Sequence, residues 1–219
     1  INLLNMKIFL DTADYEAISE RYETGLVDGI TTNPTLVRKS GVNYLDFIKT
    51  LASEFQFESI SAEVEGDTDV EMIRNAQQYI EVGENVTIKL PLTKDGLSAC
   101  KVLTDDGIET NVTLCFSAAQ AVMAAKAGAT YISPFVGRMN DNSLSGVELV
   151  RAISGLYCAH GVRTKILAAS LRDVHHVSRC FLYGASVCTL PPAVFDKMYN
   201  HVLTDSGLAI FEKDFKEIT

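Results

Sequence analysis

A lysine, two carboxylates and two amides stand at alternate positions of short apolar runs, and that spacing is the chain's main chemical signal. In Asn85-Val-Thr-Ile-Lys-Leu-Pro91, an extended backbone sends Val86, Ile88 and Leu90 to one face and Thr87 and Lys89 to the other. In the run from Ser59 to Val64, Ile60, Ala62 and Val64 oppose Ser61 and Glu63. In the run from Glu109 to Cys115, Val112 and Leu114 oppose Asn111 and Thr113. The same phasing puts Asp11, Asn33, Ser133 and Ser170 on the polar side, each at or near the end of its own run.

A lysine enclosed by carboxylate, amide and hydroxyl groups suits Schiff-base chemistry with a carbonyl substrate. The attacking form is the neutral amine, held by only about one lysine in 2,500 at pH 7 for a reference pKa of about 10.4. Burial lowers a lysine pKa by about 3 and removes most of that handicap. Asp11 and Glu63 are the carboxylates available to dehydrate a carbinolamine and to take a hydroxyl proton during C–C cleavage. Arg138 and Arg172 follow two of the runs at the same end, and guanidinium forks suit a phosphate.

Each of these residues alone has an ordinary alternative. Lys89 could be a solvated edge residue, Asp11 the N-cap of the next helix and Asn33-Pro34 a turn starter. Glu63 could be a solvated strand end, Ser133 and Ser170 small core fillers, and the arginines surface ion-pair partners, for instance with Asp173. The argument rests on their arriving in one phase at one end of successive strands.

The elements that must hold them follow from an alternation. Apolar, β-rich runs at Lys7–Asp11, Asp28–Asn33, Ser59–Val64, Asn85–Pro91, Glu109–Cys115, Thr130–Phe135, Lys165–Ser170 and Ser186–Leu190 predict strands. Helix-length amphipathic segments lie between them, such as the stripe Tyr44, Phe47, Ile48, Leu51 and Phe55. Alternating strands and helices predict a parallel sheet with right-handed crossovers, closed here as an α/β (β/α)8 TIM barrel. All five prolines fall at or just after predicted strand ends, where they remove no ladder hydrogen bond from a strand interior. The polar phase then faces the barrel axis, and its C-terminal mouth is where such barrels carry their chemistry. A single domain is expected over residues 6–203. The tail over 204–219 carries one further helical stripe, Leu208, Phe211, Phe215 and Ile218. It packs either against its own barrel or on a neighbouring subunit.

Composition narrows the classes. The chain has 219 residues, 47% of them hydrophobic, and a net charge of −9, which argues against a nucleic-acid partner. An anionic substrate must therefore be held by a few local cations. Five cysteines without a C-x-x-C pair read as buried free thiols in a reducing compartment. No apolar run is long enough to cross a bilayer. The N-terminal stretch turns acidic by Asp11, unlike a secretory signal, and Met6 is the expected natural start. A cytoplasmic protein is expected. The histidines His160, His175, His176 and His201 fall on helical segments away from the polar ring, so no metal and no other cofactor is expected. The S-x-x-K match at Ser98–Lys101 lies on a predicted helix without companion motifs and is read as chance.

The blocks Leu10-Asp-Thr-Ala-Asp14, Gly29-Ile-Thr-Thr-Asn-Pro-Thr35, Ile88-Lys-Leu-Pro91, Asn111-Val-Thr-Leu-Cys-Phe-Ser117, Ser133-Pro-Phe-Val-Gly-Arg138 and Ala169-Ser-Leu-Arg172 resemble the transaldolase family, in order and from Met6 onward. The length is similar to the short subfamily, which also includes fructose-6-phosphate aldolases. The resemblance implies that Lys89 forms the Schiff base with a ketose phosphate and that Asp11 accepts the C4 hydroxyl proton. Glu63 and Thr113 would hold the water of carbinolamine formation and dehydration. Asn33, Asn111 and Ser133 would bind the dihydroxyacetone unit, and Arg138, Arg172 and Ser170 the phosphate.

The aldolase branch of the family has Gln and Tyr where this chain has Glu63 and Phe135. Phe135 offers no hydroxyl to activate a water that would protonate the enamine, so transfer to an aldose phosphate in the pentose phosphate pathway is implied. Leu171 departs from the aromatic residue common before the Arg. The resemblance also implies sugar-phosphate substrates and a homo-oligomer, a pentamer or a decamer of two stacked rings.

Overall fold

The computed structural model describes residues 5–218. The strands are β1 (Lys7–Asp11), β2 (Gly29–Thr31), β3 (Ser59–Glu63), β4 (Val86–Pro91), β5 (Thr110–Cys115), β6 (Tyr131–Pro134), β7 (Lys165–Ala168) and β8 (Val187–Leu190). The helices are α1 (Tyr15–Tyr22), α2 (Pro34–Ser40), α3 (Tyr44–Glu54), α4 (Asp69–Ile80), α5 (Lys94–Asp105), α6 (Ala118–Lys126), α7 (Val136–Asp141), α8 (Gly146–Ala159), α9 (Val174–Leu182), α10 (Pro192–Lys197) and α11 (Val202–Ile218). Each strand pairs in parallel with its sequence neighbours, and β1 pairs with β8, closing the barrel. This is the (β/α)8 architecture with an additional C-terminal helix.

Most helices begin with a side-chain cap. Asp14, Asn33, Asn43, Thr68, Thr93, Ser117, Ser145 and Asp173 each accept the backbone N–H three residues on. Because Asp14 caps α1, Asp11 is left to face the axis.

The two faces of the strands divide as the alternation requires. Leu10, Ile30, Ile60, Ala62, Ile88, Leu90, Val112 and Ile132 are fully buried against the helices. Inside the barrel, Phe9, Tyr131, Leu167 and Val187 form a separate apolar plug, with the Phe9 and Tyr131 rings edge to face at 6.1 Å. Gly29 is required beside it, since a Cβ there would come within 2.7 Å of the Phe9 ring and of the Ser59 carbonyl. At the N-terminal opening Lys7 pairs with Asp28 at 3.5 Å and with Glu58 at 3.1 Å. The bottom of the barrel is thus closed by these ion pairs beneath the apolar plug.

Three expectations need correction. Leu114 does not continue the outward phase of β5. The ladder to β6 slips between Val112 and Cys115, Leu114 takes a left-handed φ of 63°, and its side chain reaches the mouth. Cys158 lies exposed on α8, whereas Cys100, Cys115, Cys180 and Cys188 are buried free thiols. His160 closes α8 and His201 precedes α11; only His175 and His176 lie within a helix, α9. The further helix α11 buries none of its described residues, and Leu208, Phe211 and Ile218 are all more than half exposed.

Candidate active site

The strand ends on the C-terminal side surround an inner cavity of about 120 Å³ that widens into an outer one of about 640 Å³. The sequence-predicted residues Asp11, Asn33, Lys89, Asn111, Thr113, Ser133, Phe135, Arg138 and Ser170 line the inner space, and Glu63 and Arg172 the outer.

Lys89 is the centre of the arrangement. A register of Glu63 opposite Lys89 and Lys89 opposite Asn111 brings three inward residues of β3, β4 and β5 to one level. The lysine is 5% exposed, and its Nζ lies 3.1 Å from Glu63 Oε2 and donates to the Thr32 carbonyl at 2.9 Å. It is a nearly buried lysine on an inner strand of a closed barrel, which disposes of the edge-residue alternative. Asp11 accepts a 2.8 Å hydrogen bond from Thr31 Oγ1, and Thr31 accepts one of 2.6 Å from Thr189. Burial pushes the Asp11 carboxyl above the ordinary aspartate value; the Lys89 charge and the Thr31 hydroxyl pull it back only in part, and the Glu63 charge adds to the rise.

The amide side is a second chain of contacts. Ser133 Oγ donates to Asn111 Oδ1 at 2.7 Å, and Asn111 Nδ2 donates to Ser61 Oγ at 3.3 Å. Asn33 accepts the Leu36 N–H at 3.0 Å, so the turn-starter alternative holds for its oxygen, while its side chain still lines the cavity. Thr113 Oγ1 is buried without a hydrogen-bond partner. An orphaned hydroxyl at the cavity wall is a docking point for water or a substrate hydroxyl.

The arginines lie on the side of β6 and β7. Arg138 stacks on the Phe135 ring at 4.9 Å, and Phe135 packs edge to face on Phe116. Arg172 pairs with Asp141, not with Asp173, which instead caps α9 and contacts His176 at 2.6 Å. Ser170 reaches the mouth for a reason other than strand phase. The inward phase of β7 is Leu167 and Ala169, and a left-handed φ of 56° at Ser170 turns the chain back toward the axis. Its carbonyl accepts the Gly137 N–H at 2.8 Å, joining the two arginine loops.

Nearly the full length of the chain matches one family. The sequence profile described as Transaldolase/Fructose-6-phosphate aldolase covers residues 8–219. The chain belongs to the transaldolase/fructose-6-phosphate aldolase family. Among its relatives, a protein of Dinoroseobacter shibae is 50% identical over 212 residues, 97% of either chain. Relatives in Paracoccus denitrificans and Caulobacter vibrioides are 50% identical over 210 residues, 96% of either chain. All three carry the name "Probable transaldolase".

Several residues of this family member's cavity escaped the sequence reading. Thr31 and Thr189 stand on the inward phase of β2 and β8, and the same two-residue period could have found both. Lys39, in the last turn of α2, lines the outer cavity, and no local pattern points to it. Tyr44 belongs by its spacing to the apolar helical stripe of α3. Its ring does pack on Tyr79, but its hydroxyl reaches the strand ends, accepting the Glu63 N–H at 2.8 Å and contacting Thr32 Oγ1. Burial pushes the Tyr44 phenol above its ordinary value, which keeps it a donor.

Proposed function

We propose that the protein is a transaldolase. It takes a dihydroxyacetone unit from a ketose phosphate (fructose 6-phosphate or sedoheptulose 7-phosphate) and gives it to an aldose phosphate (erythrose 4-phosphate or glyceraldehyde 3-phosphate). The observation that carries this reading is the enclosed Lys89 Nζ, with Glu63 at 3.1 Å, on the wall of a cavity that Asp11 also lines.

In this scheme the Lys89 ammonium gives up a proton, with Glu63 the nearest carboxylate to receive it, and the amine adds to C2 of the ketose. Loss of water, held between Glu63 and the orphaned Thr113 hydroxyl, leaves an iminium. Asp11 takes the C4 hydroxyl proton, the C3–C4 bond breaks, and its electron pair runs through C3 and C2 to the iminium nitrogen. An aldose phosphate leaves and an enamine remains on Lys89. Addition of the enamine C3 to the acceptor aldehyde, with Asp11 returning its proton, reverses the sequence. Asn33, Asn111 and Ser133 hold the hydroxyls of the three-carbon unit, and Arg138, Arg172 and Ser170 hold the phosphate. This chemistry calls for no cofactor.

Phe135 favours transfer over release. With no hydroxyl on that ring, and with the ring covered by Arg138 and Phe116, nothing at this position activates a water to protonate the enamine. A cytoplasmic place in the pentose phosphate pathway and assembly as a homo-oligomer through α11 belong to the same reading.

Glyceraldehyde 3-phosphate release from fructose 6-phosphate is the test, measured with and without erythrose 4-phosphate. Release only with the acceptor, accompanied by sedoheptulose 7-phosphate, is expected. Comparable release without it would make the protein an aldolase, and no release in either case would remove the proposal.

A further inference from the structure

The hydrogen bonds above Thr31 do not follow the ladder. Pairing of β2 with β3 ends at Thr31 opposite Ser61, whereas β3 continues along β4 to Glu63 opposite Lys89. One more parallel rung would place the Glu63 N–H on the Thr32 carbonyl. That bond is not made. Thr32 Oγ1 donates to the Ser61 carbonyl at 2.9 Å, and the Glu63 N–H goes to the Tyr44 hydroxyl. Since the Thr32 hydroxyl proton is spent on Ser61, the contact between Tyr44 and Thr32 Oγ1 must have the tyrosine as donor. The Thr32 carbonyl, released from the ladder, accepts from Lys89 Nζ.

We propose that Tyr44 is a positioning residue for Lys89: by standing in for the missing rung it frees the Thr32 carbonyl to hold the amine at the cavity wall. It also fixes the backbone of Glu63, so one hydroxyl sets the nucleophile and its neighbouring carboxylate relative to each other. Tyr44 lines neither cavity that holds Lys89; it acts through Thr32 and Glu63. Without the hydroxyl, the Glu63 N–H is left to compete for the Thr32 carbonyl, and Lys89 loses its fixed acceptor. Ground-state binding of the sugar phosphate, carried by the amide side and the arginines, is untouched. The inference rests on the Schiff-base reading of Lys89.

The test uses the full chain as wild type, Tyr44→Phe, Thr32→Val and the double variant. Wild-type protein with fructose 6-phosphate is reduced with borohydride and the adduct located by peptide mass, while kcat, KM and the thermal midpoint are measured for all four. A wild-type adduct on Lys89 is expected. In each single variant kcat should fall about tenfold to a hundredfold, the size of a charged hydrogen bond lost, with KM within about threefold. The double variant should lose no more than the worse single one, because both break one relay. Thr32→Val decides alone if Tyr44→Phe does not fold. Variants within about twofold of wild-type kcat, a rise in KM at unchanged kcat, or fully additive losses would overturn the role of Tyr44. Failure of wild type to trap an adduct on Lys89 would remove the Schiff-base reading itself.

Discussion

At the scale of single residues, the site is a charge held where water is scarce. Lys89 has no substitute in the cavity: the other cations near it, Arg138, Arg172 and Lys39, line its walls rather than contact Glu63. Lys89→Met should therefore lower turnover by roughly 10³–10⁶-fold, the range seen when a covalent nucleophile is removed. The far-UV spectrum should be retained, and substantial residual activity would sink the assignment. Asp11 carries a cost in the opposite direction. Its folded carboxyl titrates above its unfolded one, so the native state binds the extra proton in the window between the ordinary aspartate value and the raised one. Stability from this group is present below that window and is lost as pH rises through it. Asp11→Asn should then raise the thermal midpoint at pH 7 while abolishing transfer, and the gain should vanish below about pH 4, where the unfolded carboxyl is protonated as well. Melting curves of the two proteins across pH 3–8 check the sign; an Asp11→Asn protein no more stable than wild type at pH 7 would contradict it.

At the scale of elements, the strands bring side chains to the mouth by two routes. One is strand phase, which delivers Asp11, Glu63, Lys89, Asn111, Thr113 and Ser133, and this route is legible in sequence because alternation has a fixed period of two. The other is the loop that leaves the strand. Ser170 arrives through a left-handed turn and Leu114 through a slipped ladder, and both occur at non-glycine residues, where no composition signal marks a positive φ. A backbone carbonyl such as that of Thr32 leaves no mark in a sequence, so the partner of Lys89 could not be read there. Nor could Tyr44, whose ring satisfies the helical stripe that hides its hydroxyl. The arginine loops show how tightly the second route is built. A Cβ on Gly137 would stand 2.0 Å from the Ser170 carbonyl and 3.2 Å from Arg172 Nε. Gly137→Ala must push these loops apart, at a cost of about 1–3 kcal/mol in stability. It should raise KM for fructose 6-phosphate about tenfold to a hundredfold, while borohydride trapping of unphosphorylated dihydroxyacetone on Lys89 changes little. Equal losses with both ligands would show that these loops do not serve the phosphate.

At the scale of the whole molecule, the barrel is closed at one end and equipped at the other, and the surplus lies in α11. Seventeen residues long, this helix buries none of its described residues, and Leu208, Ile210, Phe211 and Ile218 stand between 56% and 78% exposed. A contiguous apolar surface of that kind is costly on an isolated molecule and ordinary at an interface between subunits. The helix follows α10, which packs against α1 and α9 on the barrel, so its start is fixed there while its exposed residues are open to a second copy. The same interface repeated around an axis would close a ring, in keeping with the pentamer or decamer expected for a short member of the family. Sedimentation of the full chain should therefore show a homo-oligomer without a monomer peak at micromolar concentration. Phe211→Glu, which places a charge in the middle of the stripe and touches no strand or cavity, should shift the population toward monomer while circular dichroism stays that of the barrel. Because none of the residues lining the cavity comes from α11, monomers produced this way should keep transfer activity within about threefold, provided they stay folded at the assay temperature. A wild-type monomer would leave the chemistry intact and show that the exposed stripe serves something other than self-assembly.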